Sequence, residues 1–174
     1  MNGFSIALLL ALSVGTIDAL LTKKDLYNAL STPRRIFAVQ RTFERSGDKG
    51  KHTCVYAIQT HLQDDDYQFE QHYKEGPIGR ANYLYGKLSD GHKGPVLTVS
   101  YEQGREGTPY TLLYWDPRRH CAILEFLEKG ETRCELHVWE DDFLASTSTP
   151  CDHEYERYCG PVKYEVSQRT CLRN

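Results

Sequence analysis

Residues 67–74 read Tyr67-Gln68-Phe69-Glu70-Gln71-His72-Tyr73-Lys74. On an extended chain Tyr67, Phe69 and Tyr73 fall on one side, and Gln68, Glu70 and His72 on the other. Period two over this length marks an antiparallel strand with one face buried and one in water. Working outward, the same pattern predicts strands at Ile36–Phe43, His52–His61, Arg80–Lys87, Val96–Glu102, Tyr110–Trp115, Cys121–Leu127 and Thr132–Trp139. Turn residues separate them: Ser46 to Gly50, Gly76-Pro77, Asp90-Gly91, Gly104 to Gly107, Asp116-Pro117 and Lys129-Gly130. Eight short, mostly hairpin-linked strands predict an all-β chain, closed as an up-and-down barrel or stacked as a sandwich. A short helix is predicted over Lys23–Leu30, and a C-terminal helix over Pro150–Tyr158, ended by Gly160-Pro161. A last short strand is expected at Val162–Val166.

Phe4 to Val14 is an uncharged apolar run followed by small residues. It is too short to span a bilayer and reads as the core of a secretory signal, with cleavage expected after Ala19. Residues 1–19 are therefore expected to be removed, leaving residues 20–174 as one domain, secreted, extracellular and without a membrane span. All six cysteines lie in that part, and an even count in an exported chain favours disulfides over free thiols. Metal binding would need close ligand pairs such as C-x-x-C, which the sequence lacks, so neither a metal nor a cofactor is expected. The net charge is -3 with scattered Lys and Arg, which gives nucleic acid no electrostatic footprint.

The last third carries Cys121-Ala122-Ile123, eleven residues, Glu135-Leu136-His137, thirteen residues, and Cys151. With the leading Asp25-Leu26-Tyr27, this order resembles the tick salivary lipocalins, the group that includes the histamine-binding proteins. Their pattern is Cys-Asp-aliphatic, a spacer, Glu-Leu-aromatic, a spacer and Cys. Ala122 stands where that pattern has Asp, and His137 where it has an aromatic residue. The resemblance implies an eight-stranded antiparallel lipocalin β-barrel with a C-terminal helix. It also implies the disulfides Cys54–Cys171 and Cys121–Cys151, which leaves Cys134 and Cys159 to each other. Strand parity agrees with that third pair: if Glu135 points inward, Cys134 points outward, toward a helix packed on the barrel.

Alternation assigns an inward face to each strand. It places Phe37, Val39, Arg41 and Phe43 there, then Tyr67, Phe69 and Tyr73, Tyr83 and Tyr85, Tyr110, Leu112 and Tyr114, Leu124, and Glu135, His137 and Trp139. These aromatics either close-pack as a solid core or line a cavity, and the resemblance favours a cavity for one small ligand. A cationic amine such as histamine or serotonin needs desolvated carboxylates. Ala122 removes one, and Arg41 on the inward face repels a cation. An unpaired charge in a dry pocket is costly, so Glu135 is expected to pair with Arg41 or His137. The expected guest is then a small apolar host molecule with one polar group: a sterol, a fatty acid or an eicosanoid. This is similar to the japanin-like branch, whose members are associated with sterol binding and altered dendritic-cell behaviour.

Two alternatives stay open. One is a biogenic-amine binder. The other is a monomeric immunomodulator that meets a host immune-cell protein through the loops Asp64–Asp66, Gly104–Gly107 and Glu140–Thr149. Catalysis is not expected, because no G-x-S-x-G elbow, metal-ligand spacing or phosphate loop appears. Glu135 and His137, two apart on a strand, share a face and read as a hydrogen-bonded pair.

Overall fold

Strand β1 (Ile36–Arg41) is hydrogen-bonded on both sides. It pairs antiparallel with β9 (Glu131–Trp139) and, through Ile36 and Phe37, with β3 (Gly50–Gln63). Between those neighbours the sheet runs in sequence order through β4 (Asp66–Glu75), β5 (Ile78–Ser89), β6 (Val96–Ser100), β7 (Thr108–Asp116) and β8 (Cys121–Glu128). The result is a closed, eight-stranded antiparallel barrel. Two-residue strands β2 (Ser46–Gly47) and β10 (Tyr164–Glu165) add to β3 and β1. This computed structural model describes residues 20–173, so the signal expected at 1–19 lies outside the described residues.

Two hairpins show how local sequence sets the register. Lys129 and Gly130 both have positive φ, 52° and 82°, the geometry of a two-residue turn whose twist matches the flanking strands. Gly76 (φ 59°) precedes Pro77 in the β4–β5 turn, and a Cβ there would meet the Lys49 carbonyl oxygen at 2.2 Å. Only glycine fits at that point.

Helix α1 (Lys23–Leu30) closes one end. The Thr22 hydroxyl accepts from the Asp25 N–H, while the Asp25 carboxylate accepts from the Thr22 N–H at 2.8 Å, a reciprocal cap. Its Leu26, Ala29 and Leu30 are buried among Leu84, Leu88, Leu97 and Leu112 of the strands. Trp139 Nε1–H donates to the Ala29 carbonyl at 2.9 Å, and Lys23 meets Asp65 of the β3–β4 turn at 2.8 Å.

A second apolar layer lies outside the barrel. Phe37, Val39, Ile123, Leu136 and Val138 pack beneath Phe143 of α2 (Glu140–Ala145) and Tyr155 of α3 (Asp152–Cys159). Strands β8 and β9 are thus covered on both faces. Three disulfides fasten this side: Cys121–Cys151, Cys134–Cys159 and Cys54–Cys171, with Cα–Cα distances of 6.3, 5.8 and 5.3 Å. The pairing implied by the resemblance is the pairing present.

The structure corrects several expectations. The stretch expected as a loop from Glu140 begins as α2, tied down by Arg35, whose Nη2 donates to Glu140 Oε1 at 2.7 Å. The last strand shrinks from Val162–Val166 to Tyr164–Glu165. Register shifts in β1, between Ala38 and Gln40, and in β7, between Leu112 and Tyr114, move side chains to the other face. Phe37 and Val39 therefore face the outer layer, with Ile36 and Ala38 inside. Tyr114 points out, where Arg119 donates to its hydroxyl at 3.1 Å, and Trp115 points in. On β5 the assigned face is reversed: Tyr83 and Tyr85 lie outside, and the Tyr83 hydroxyl donates to Gln68 at 2.9 Å. Leu84 and Leu88 take the interior instead. Tyrosine satisfies an outer position because its hydroxyl reaches polar neighbours.

Leu136, fully buried between the barrel and its outer layer, tests this double packing. Leu136→Ala is expected to lower stability by about 2–5 kcal/mol in urea unfolding followed by circular dichroism.

Candidate ligand-binding site

The barrel encloses a cavity of about 330 Å³. Its apolar wall comes from alternate residues of many strands: Ile36 and Ala38, Val55 and Ala57, Tyr67 and Phe69, Leu84, Leu97 and Val99, and Leu124 and Phe126. The mouth lies opposite α1. Tyr101 and Leu127 stand there 73% and 63% exposed, beside Arg45 and Glu128, which pair at 2.8 Å. Beyond the main cavity a void of about 20 Å³ lies toward α1, bounded by Leu112, Trp115, Ala122 and Trp139. His120 stacks on Trp139 at 4.2 Å and is held by Asp142 at 2.7 Å.

One wall is charged. Arg41 Nε lies 2.7 Å from Glu135 Oε1, and His137 Nε2 lies 2.8 Å from Glu135 Oε2. Arg41 and Glu135 are 4% and 5% exposed, so this pair has left water almost entirely. The guanidinium also lies 5.2 Å from the Phe43 ring centroid. Burial pushes the Glu135 carboxyl up, but the Arg41 charge and the His137 hydrogen bond outweigh it and hold the group at about 2. Tyr110, on the same wall, has its hydroxyl pushed well up by burial and then by the Glu135 charge.

Arg41 brings five N–H donors to this wall. Its Nε, although close to Glu135, has no aligned acceptor, and Glu135 is shared with His137. Gln71, Ser100, Thr108 and Glu128 also line the cavity, so acceptors stand there beside the Arg41 donors, and the Arg41 Nε–H and the Tyr67 hydroxyl are its buried groups without an aligned partner.

Of the residues assigned inward from the sequence, the structure brings Arg41, Tyr67, Phe69, Tyr110, Leu124, Glu135 and His137 together around the main cavity. Leu112 and Trp139 bound the deeper void. Phe43 is buried edge-on against Phe126 at 5.6 Å rather than in the wall, and Tyr73 packs on His52 at 4.4 Å. Phe37, Val39, Tyr83, Tyr85 and Tyr114 do not take part. Sequence reading passed over Ile36, Ala38, Leu84, Leu97, Val99 and Phe126. Leu97 and Val99 alternate visibly, whereas Ile36 and Ala38 are revealed only by the β1 bulge.

A closed eight-stranded barrel, plugged by an N-terminal helix and hollow inside, is a lipocalin-type fold. The chain belongs to the tick histamine-binding protein family: the family model described as tick histamine binding protein matches residues 17–173. Among solved structures it is similar to japanin from Rhipicephalus appendiculatus bound to cholesterol, at 15% identity and a TM-score of 0.60, covering 82% of this chain and 98% of that one. A serotonin complex of AM182 is similar at 16% identity and a TM-score of 0.61, covering 84% and 91%. The siderocalin Ex-FABP follows at 14% identity and a TM-score of 0.53, covering 79% and 94%. No curated protein sequence matches the chain.

Arg41→Met leaves Glu135 buried against His137 alone and is expected to lower stability by about 3–5 kcal/mol, most of it recovered in Arg41→Met/Glu135→Leu. Because the folded-state pKa of Glu135 is depressed, its contribution is present above the unfolded value of about 4.3 and is lost as pH falls toward about 2. Urea midpoints between those limits are expected to fall more steeply in the wild type than in the double variant.

Proposed function

We propose that this protein is a secreted carrier that sequesters one small, mostly apolar host molecule bearing an oxygen acceptor: a fatty acid, an eicosanoid or a sterol. In this reading residues 1–19 are a signal peptide and residues 20–174 the carrier domain, released to act on host immunity. The observation that carries it is the buried Arg41–Glu135–His137 wall, whose Arg41 Nε–H lacks an aligned acceptor, in a cavity walled mostly by apolar side chains. A carboxylate or hydroxyl oxygen would accept from Arg41 there. An ammonium group would add donors and meet a carboxylate already neutralised. The interior position of Ala122 agrees with this, since a methyl stands where the family pattern has an Asp.

The cavity volume sits near the lower end of the roughly 300–1,000 Å³ usual for small-molecule sites, which favours a single guest. The apolar wall would supply affinity and the charged wall orientation. Three disulfides are consistent with passage through an oxidising compartment.

The test is native mass spectrometry of protein secreted from eukaryotic cells, followed by calorimetry of the delipidated form. A co-purifying lipid is expected, and oleate, arachidonate or cholesterol is expected to bind at least tenfold, or about 1.4 kcal/mol, more tightly than histamine or serotonin. The reverse order would establish an amine binder. Delipidated protein that takes up none of these compounds would leave a surface-acting immunomodulator.

A further inference from the structure

Between α2 and α3 runs Ser146-Thr147-Ser148-Thr149-Pro150, four consecutive hydroxyl residues before a proline. Both ends of this strap are fixed. Phe143 is buried at one side, and at the other Pro150 and Cys151 are buried, with Cys151 bridged to Cys121. Thr147 and Ser148 are exposed between them. Ser146 is extended (φ -80°, ψ 139°), and the proline biases Thr149 the same way. Thr147 and Ser148 form a bend between these ends, so their hydroxyls stand on an exposed, irregular segment that an enzyme can reach from outside.

Beside the strap lies a surface cleft of about 570 Å³. Ser148 and Thr149 form part of its wall, together with Arg119, Asp142, His153 and Glu154. The wall offers hydrogen-bond donors and acceptors and no large apolar side chain, a lining suited to a sugar rather than a lipid.

We propose that Ser148, with Thr147 as a second acceptor, carries an O-linked N-acetylhexosamine whose ring lies along this cleft. In the transfer the hydroxyl oxygen bonds to the anomeric carbon of a nucleoside-diphosphate-activated sugar. The bond from that carbon to the diphosphate breaks, the nucleoside diphosphate leaves, and the hydroxyl proton passes to a base of the transferase. No oxidant or reductant takes part. Serine- and threonine-rich segments with proline are the usual substrates for such modification. The sequence has no Asn-x-Ser/Thr, so the N-linked route is absent.

The inference rests on the secretory routing proposed above, and the experiment separates the two. The full chain is secreted from insect cells, and its intact mass is read before and after alkaline β-elimination. The expected result is a mature chain with three bridges plus whole N-acetylhexosamine units, released by β-elimination. Ser148→Ala should lose most of the increment and Thr147→Ala/Ser148→Ala all of it, with thermal midpoint and lipid uptake unchanged. Secreted, fully bridged protein at its bare mass would overturn the glycan alone, as would an increment that survives in the double variant. Protein retained inside the cells would overturn the routing and the glycan together.

Discussion

Every feature of this molecule follows from β1 having a partner along both edges. A sheet open at β1 would present unpaired N–H and C=O groups and an exposed apolar face. Closure removes the edge and forces one face inward, where eight strands enclose more volume than their side chains fill. The six residues of β1 divide this work at a bulge. Ile36 and Ala38 face in while β1 lies against β3, and the extra residue lets Arg41 face in again farther along β9. Ile36 and Phe37 thus close the barrel, and the irregularity after Ala38 delivers its buried guanidinium.

That guanidinium gives the interior its chemical direction. An Arg and a Glu shut away from water are tolerable only as partners, and His137 occupies the carboxylate's second oxygen. The charges cancel, so the cavity repels neither sign strongly. Arg41 Nε–H is left without an aligned acceptor on this wall.

Much of this was legible in the sequence, and the failures have physical causes. Period two and turn residues marked the eight strands, and α1 and the C-terminal helix α3 were expected close to where they lie. A partner for Glu135, either Arg41 or His137, was expected from the expense of a lone buried charge, and the structure supplies both. Faces failed where period two itself fails. A bulge adds one residue and reverses everything beyond it, which misplaced Phe37, Val39 and Tyr114. Strand β5 misled differently, since Tyr83 and Tyr85 look like core residues yet spend their hydroxyls on outer polar neighbours. Helix α2 gave no signal because its six residues are held mainly by distant contacts, Arg35 to Glu140 and Phe37 to Phe143.

The covalent bridges are distributed unevenly around the wall. Every one begins on β3, β8 or β9 and ends on α3, on the residue that precedes it or on the tail, and none touches β4, β5, β6 or β7. The barrel is therefore two unlike half-shells: one riveted and covered outside by α2 and α3, the other hydrogen-bonded hairpins packed on α1 at one end. Local unfolding begins where backing is thinnest. The unriveted half is the side expected to open first, while the riveted half carries Glu135 on β9 and its partner Arg41 on the adjoining β1.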